Sequence, residues 1–272
     1  MSDTLNIAAI ALDIAWGEPS RNIEAVDRWL HSVPAGTDLV VLPELFTTGF
    51  IQDETLLGEL SEASDGTTMQ AVRQWARQYG WAMAGSFSAK EDGKVYNRAF
   101  FVTPEGDTTF YDKRHLFAPS AEAQIYTAGQ ELIPVVEFRG WKIAMMICYD
   151  LRFPVWARNR GHRYDCMLVP ANWPTARGYA WTHLIIARAI ENQAVYVGCD
   201  RGGHDDYGEY DGLAMIVDAN GMPMGHVVEG TPIICATASL SAIARARRKL
   251  PTIMSADDFR LACEAPPVED LD

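Results

Sequence analysis

Short apolar runs alternate with stretches of helical periodicity along most of the chain, and Gly, Pro and Asn punctuate the junctions. The run at 5–13 is too short for a core helix and reads as a strand, whereas 21–30, beyond a Gly-Pro turn, carries apolar residues at helical spacing. The alternation continues with a β-branched strand at 38–42 closed by Pro43, an amphipathic helix at 67–79 and a strand at 81–88. Residues 95–103 and 108–112 flank Pro104-Glu105-Gly106-Asp107 and predict an antiparallel pair.

After a loop at 114–134, strands are expected at 135–138 and 142–147 across Arg139-Gly140, and a helix starts at 155–160. A second βα unit follows: strand 165–169, helix 179–193, strand 195–199. Strands at 213–218, 226–228 and 233–238, with a turn at Ala219-Asn220-Gly221, and a last helix at 240–249 complete the pattern. Hairpins mixed with βα crossovers predict an α/β protein whose sheets carry helices on their outer faces, most economically as two sheets stacked face to face.

With 272 residues, 48% of them hydrophobic, the chain can bury a large core, and no linker or repeat divides it. One domain over 1–254 is expected, followed by an acidic, Pro-containing tail at 255–272. The 23 Lys and Arg against 36 Asp and Glu leave a net charge of −13, which repels a phosphate backbone or an anionic membrane surface. Neither nucleic acid nor membrane is therefore an expected partner. The N-terminus has no basic n-region, and Asp13 and Gly17 interrupt its apolar stretch. Cys148, Cys166, Cys199, Cys235 and Cys263 are odd in number, with no C-x-x-C pair and no metal-like spacing, which fits reduced thiols in the cytoplasm.

Three reactive residues occupy equivalent places, Glu44 after DLVVLP, Lys113 after TTFYD and Cys148 after KIAMMI, each closing an apolar strand. Carboxyl ends of strands face the ligand crevice in α/β architectures, so the three can converge from distant parts of the chain. An ammonium stabilises a nearby thiolate, and a carboxylate can take the thiol proton and return it to a leaving amine. Singly, each has a plainer reading: Glu44 as a cap, Lys113 as a solvated charge, Cys148 as a small core residue.

The segments LPELF, YDKRHLF and ICYDLRFP, in that order, with ANWP at 171–174 and ARAIENQ at 187–193, resemble the nitrilase superfamily of carbon–nitrogen hydrolases, most closely its bacterial omega-amidase branch. The resemblance implies a four-layer αββα sandwich of two mixed sheets covered by helices. It implies Glu44 as general base, Lys113 as oxyanion stabiliser and Cys148 as nucleophile, with neither cofactor nor metal, a small-molecule amide as substrate, and a homodimer. The family's second carboxylate is matched by Glu122, with Glu131 nearby as the alternative. A thioester mechanism then needs oxyanion donors, for which Lys113 and the backbone N–H of Tyr149 are the candidates.

Asn172 and Trp173 are expected to line the pocket, Arg177 to meet a substrate carboxylate, Arg152 to support the nucleophile from beneath, and Arg188 to pair locally with Glu191. The chain departs from the branch between 200 and 221, where Asp200 and Ala214 replace an expected Asn and Ser. That leaves the three reactive residues untouched and opens the choice of substrate: a dicarboxylic acid monoamide such as 2-oxoglutaramate or 2-oxosuccinamate, or a nitrile or carbamyl amide. A catalytically silent binding protein on the same fold and a redox thiol protein are the readings from other classes.

Overall fold

The computed structural model describes residues 2–259 and 261, so most of the expected tail lies outside the described residues. The strands are β1 (Thr4–Ile10), β2 (Leu39–Val41), β3 (Ala82–Glu91), β4 (Lys94–Val102), β5 (Thr108–Asp112), β6 (Val135–Phe138), β7 (Trp141–Met145) and β8 (Cys166–Ala171). They continue as β9 (Val195–Asp200), β10 (Gly202–Asp205), β11 (Gly208–Asp211), β12 (Met215–Val217), β13 (His226–Val227) and β14 (Ile233–Ser239). The helices are α1 (Pro19–Leu30), α2 (Glu54–Leu60), α3 (Thr67–Tyr79), α4 (Glu122–Ile125), α5 (Pro154–Ala157), α6 (Gly178–Asn192) and α7 (Leu240–Lys249).

A seven-stranded sheet runs β13-β14-β1-β2-β3-β4-β5, and a five-stranded sheet runs β12-β9-β8-β7-β6. Period-two alternation sorts the side chains of the larger sheet onto two faces. Ile7, Ala9, Ala99 and Phe101 share a core with Ile143, Met145, Met167 and Val197 of the smaller sheet. Ala8, Ile10, Phe100 and Val102 turn the other way, onto Val26 and Leu30 of α1 and Met69, Val72 and Trp75 of α3. Fully burying Phe100 or Phe101 stabilises by about 1.5–3 kcal/mol each.

The smaller sheet is parallel through β7, β8 and β9 and covered on its outer face by α6, which explains why CMLVPA is buried at every position. Gly198 in the middle of β9 allows α6 to approach, since a Cβ there would lie 2.6 Å from Trp181 Cζ2. These layers are the αββα sandwich.

The expected helix at 155–160 is only α5 and a following 3₁₀ turn, because Arg158 leaves helical geometry and Gly161 and His162 take positive φ. The short helices α2 and α4 and the hairpin β10–β11 are additions to the expected pattern. Among the described residues, no helix is long and apolar enough to cross a membrane.

Candidate active site

Glu44 is fully buried two residues beyond the end of β2's extension at Leu42, and three donors hold its carboxylate. Lys113 Nζ and Asn97 Nδ2 each donate to Oε1 at 2.8 Å, and the backbone N–H of Asn172 donates to Oε2 at 2.8 Å. Asn172 Nδ2 also donates to the Glu44 carbonyl at 2.9 Å. Leu45, with φ +48, turns the chain immediately afterwards.

Lys113 follows β5 at the edge of the larger sheet and is 1% exposed. A buried ammonium needs partners, and Glu122 supplies the second, with oxygens at 2.8 and 3.0 Å. Glu122 Oε2 accepts from the Phe117 N–H at 2.5 Å, which fixes it behind Lys113, whereas Glu131 is exposed. Burial pulls the Lys113 pKa down, but the charges of Glu122 and Glu44 prevail and hold it well above the ordinary lysine value. Burial raises the Glu122 carboxyl, opposed by Lys113. The loop after α4 returns to this point through Gly129, whose N–H donates to the Lys113 carbonyl at 2.9 Å and where a Cβ would collide with the Asp112 carbonyl.

Cys148 lies beyond β7 with φ +42, a conformation that a side chain with a Cβ rarely takes without support from its surroundings. Asp150 is that support. Its fully buried carboxylate accepts from the Ile147 N–H at 3.1 Å, Tyr111 Oη at 2.8 Å and the His115 N–H at 2.9 Å, and meets His115 Nδ1 at 2.7 Å. Burial pushes the Cys148 thiol well above its usual range, the Glu44 charge adds to this, and Lys113 acts in the opposite sense. The Cys148 Sγ is 4.0 Å from the Asn172 carbonyl oxygen.

Glu44, Lys113, Cys148, Tyr149, Asn172, Trp173 and Arg177 all line one cavity of about 300 Å³, together with Phe50, Phe117, Tyr207 and Tyr210. Arg152 lines it too, stacked over the Trp173 ring at 4.7 Å, which corrects its expected place beneath the nucleophile. Arg177 stacks over Phe117 at 5.1 Å. Among the described residues neither guanidinium is ion-paired to a carboxylate. Arg188 does pair with Glu191 at 3.1 Å and also donates to the Leu151 carbonyl at 3.1 Å, so it supports the segment after Cys148. No cluster of three His, Cys, Asp or Glu side chains that could hold a metal occurs among the described residues.

Asn97, Asp150, Tyr207 and Tyr210 were not evident from sequence. Asn97 had a signal in retrospect: an amide inside an apolar strand needs a buried partner. The tyrosines come from the unanticipated β10–β11 hairpin and the turn at its tip.

A family model described as carbon–nitrogen hydrolase matches residues 6–248. An omega-amidase, YafV, from Yersinia enterocolitica is 39% identical over 262 residues, 95% of this chain and 99% of its own. A 2-oxoglutaramate amidase from Bacillus subtilis is 32% identical over 93% of this chain and 97% of its own. Among solved structures, a CN-hydrolase superfamily protein from Xanthomonas campestris, with an arsenic adduct in its active site, superposes with a TM-score of 0.90. It is 36% identical and covers 96% of this chain and 100% of its own.

Proposed function

The chain belongs to the carbon–nitrogen hydrolase family, and from that premise we propose that it is an omega-amidase that hydrolyses the monoamide of a small dicarboxylic acid, of the 2-oxoglutaramate or 2-oxosuccinamate type. It is an amidase acting on carbon–nitrogen bonds other than peptide bonds. The observation that carries the substrate reading is the pair of guanidiniums, Arg152 and Arg177, without carboxylate partners among the described residues, in the same cavity as Cys148, Glu44 and Lys113. A net charge of −13 repels an anionic substrate at long range, so local cations must capture it.

In this reading Cys148 Sγ attacks the amide carbon as its proton passes to Glu44. The C=O electron pair moves onto oxygen, and the charge is met by Lys113 Nζ and the Tyr149 N–H, each contributing about 3 kcal/mol in the transition state. Collapse breaks the C–N bond, Glu44 returns the proton to nitrogen, and ammonia leaves a thioester. Glu44 then takes a proton from water, whose oxygen attacks the thioester carbon. The thiolate departs, regains the proton from Glu44, and the carboxylic acid is released. Glu122 keeps Lys113 charged and aimed. Asn172 and Trp173 form the wall beside the reacting carbon, and Arg177 holds the far carboxylate.

Ammonia release from a panel of omega-amides, uncharged amides, N-carbamyl amines and nitriles is the test. Preference for a carboxylated omega-amide is expected. Turnover confined to nitriles or carbamyl amines favours the alternative members of the family, and no turnover at all favours a silent site.

The same reading includes one hydrolase domain over 1–254, a cytoplasmic setting and a homodimer. Support for the dimer is the outer face of α6, where Tyr179 and Ile190 recur on nearly the same side of the helix and are exposed, as is Val155. Sedimentation of the native protein and of Ile190→Glu tests the assembly, with dissociation expected for the variant.

A further inference from the structure

Asp200 closes β9 and is fully buried, yet among the described residues no cation is bonded to it. Its Oδ1 accepts from the Trp173 N–H at 2.7 Å, and its Oδ2 has no hydrogen-bond partner among the described residues. The guanidinium of Arg201, next in the chain, is spent elsewhere: on Asp205 at 2.8 Å, on the Ile14 carbonyl at 2.8 Å and on the Gly202 carbonyl at 3.0 Å. The other charged group acting on Asp200 is Glu44, which is of like sign. Cys199, also adjacent, directs its thiol to the Ile10 and Val41 carbonyls.

A bare carboxylate in such a place keeps one oxygen desolvated and unpaired, beside another carboxylate. A second buried acceptor, Asn172 Oδ1 on the segment that Asp200 holds, also lacks a donor among the described residues. A proton on Asp200 removes both the uncompensated charge and the repulsion from Glu44, and turns one of these two unmatched acceptors into a donor.

We propose that Asp200 works in the folded protein as a neutral, proton-bearing acid that positions the Asn172–Trp173 segment, and through Asn172 the carboxylate of Glu44. The chain of contacts is short. Asp200 holds the Trp173 N–H, and the preceding residue, Asn172, gives Glu44 one bond to Oε2 and another to its carbonyl. Burial, with Glu44 as the reinforcing charge, keeps the Asp200 carboxyl well above the usual carboxylate range, against the backbone donors and Arg201.

The sign of the stability effect follows from the proton. An acid that holds its proton more tightly folded than unfolded contributes stability that is complete below its unfolded pKa, about 3.9 for Asp. That stability declines as pH rises toward the folded value. Asp200→Asn, which carries the same acceptor and a permanent donor, has no such decline. The ratio of the wild-type unfolding constant to that of D200N should therefore grow by about tenfold per pH unit from roughly pH 5 to neutrality. A ratio independent of pH overturns the proposal.

Should D200N not fold, the wild-type protein answers alone. With aspartate side chains labelled with ¹³C, at least one carboxyl resonance should remain at the protonated position at pH 7. None there overturns the proposal. The positioning role is read from kinetics on the amide substrate. Asp200→Ala, which leaves the Trp173 N–H without its acceptor, should lower kcat/KM on the order of tenfold, with D200N restoring it. Equal activity in the two variants means that the segment is held by something else. The unfolding and resonance measurements do not depend on which amide the enzyme hydrolyses.

Discussion

Tyr111 and Asp150 are joined by a 2.8 Å hydrogen bond that runs from the edge strand of the seven-stranded sheet to the loop carrying Cys148. Lys113 is two residues beyond one partner, and Cys148 two residues before the other. This single bond therefore ties the cation and the thiol together across the sandwich. Tyr111→Phe removes the hydroxyl, which also accepts from Trp156 Nε1 at 2.9 Å. A loss of about 1–3 kcal/mol in urea unfolding is expected, with kcat falling more than KM changes because the cavity-lining Arg152 and Arg177 are untouched.

Cys148→Ala should abolish ammonia release and leave the fold intact, since the thiol contributes reactivity more than packing. Cys166→Ala and Cys199→Ala should remain active, although both thiols are buried and raised above their ordinary pKa, because neither lines the cavity. Intact-protein mass after brief exposure to substrate should show an acyl adduct on wild type and none on the Cys148 variant. Persistent turnover by Cys148→Ala would falsify the assignment.

Lys113→Met and Glu44→Gln should each slow acylation by a factor on the order of a hundred or more, through loss of an oxyanion donor and of a proton carrier respectively. Lys113→Met should also destabilise the protein, because Glu44 and Glu122 are left buried without their shared cation. Single-turnover kinetics and thermal unfolding separate the two effects, and near-native acylation in either variant removes that residue from the mechanism.

Arg177→Ala should lower kcat/KM for a carboxylated omega-amide much more than for an uncharged amide of equal length, because a guanidinium binds the remote carboxylate through two parallel bonds. Anchoring that end fixes the amide carbon over Cys148, so the loss belongs in kcat as well as KM. An equal fall for both substrates assigns Arg177 to architecture.

Gly129→Ala should impair the site from a distance, since its added Cβ is forced against the Asp112 carbonyl beside Lys113. Reduced kcat together with a lowered melting temperature is the expected outcome, and unchanged kinetics would place the Gly129 loop outside the site's support.

Local pattern was enough for most strands and the long helices, because a period of two or of 3.6 in apolar residues reports the face that a segment must bury. It was also enough to mark Glu44, Lys113 and Cys148, which stand at strand ends whatever the order of strands in the sheets. Glu122 and Glu131 differ little in their neighbourhoods along the chain, and only folding buries one against Lys113 and leaves the other in solvent. The sequence offers Arg152 as a buttress, and the loop after β7 turns it onto Trp173. Asn97, Asp150 and Asp200 hold partners from distant segments, and the hairpin that brings Tyr207 and Tyr210 to the cavity is too polar to show strand periodicity. Sequence by itself determined which segments bury apolar surface and which reactive side chains end them. The stacking of the two sheets decided which charges meet, because a buried charge is stable only where long-range packing supplies its partner or leaves it its proton.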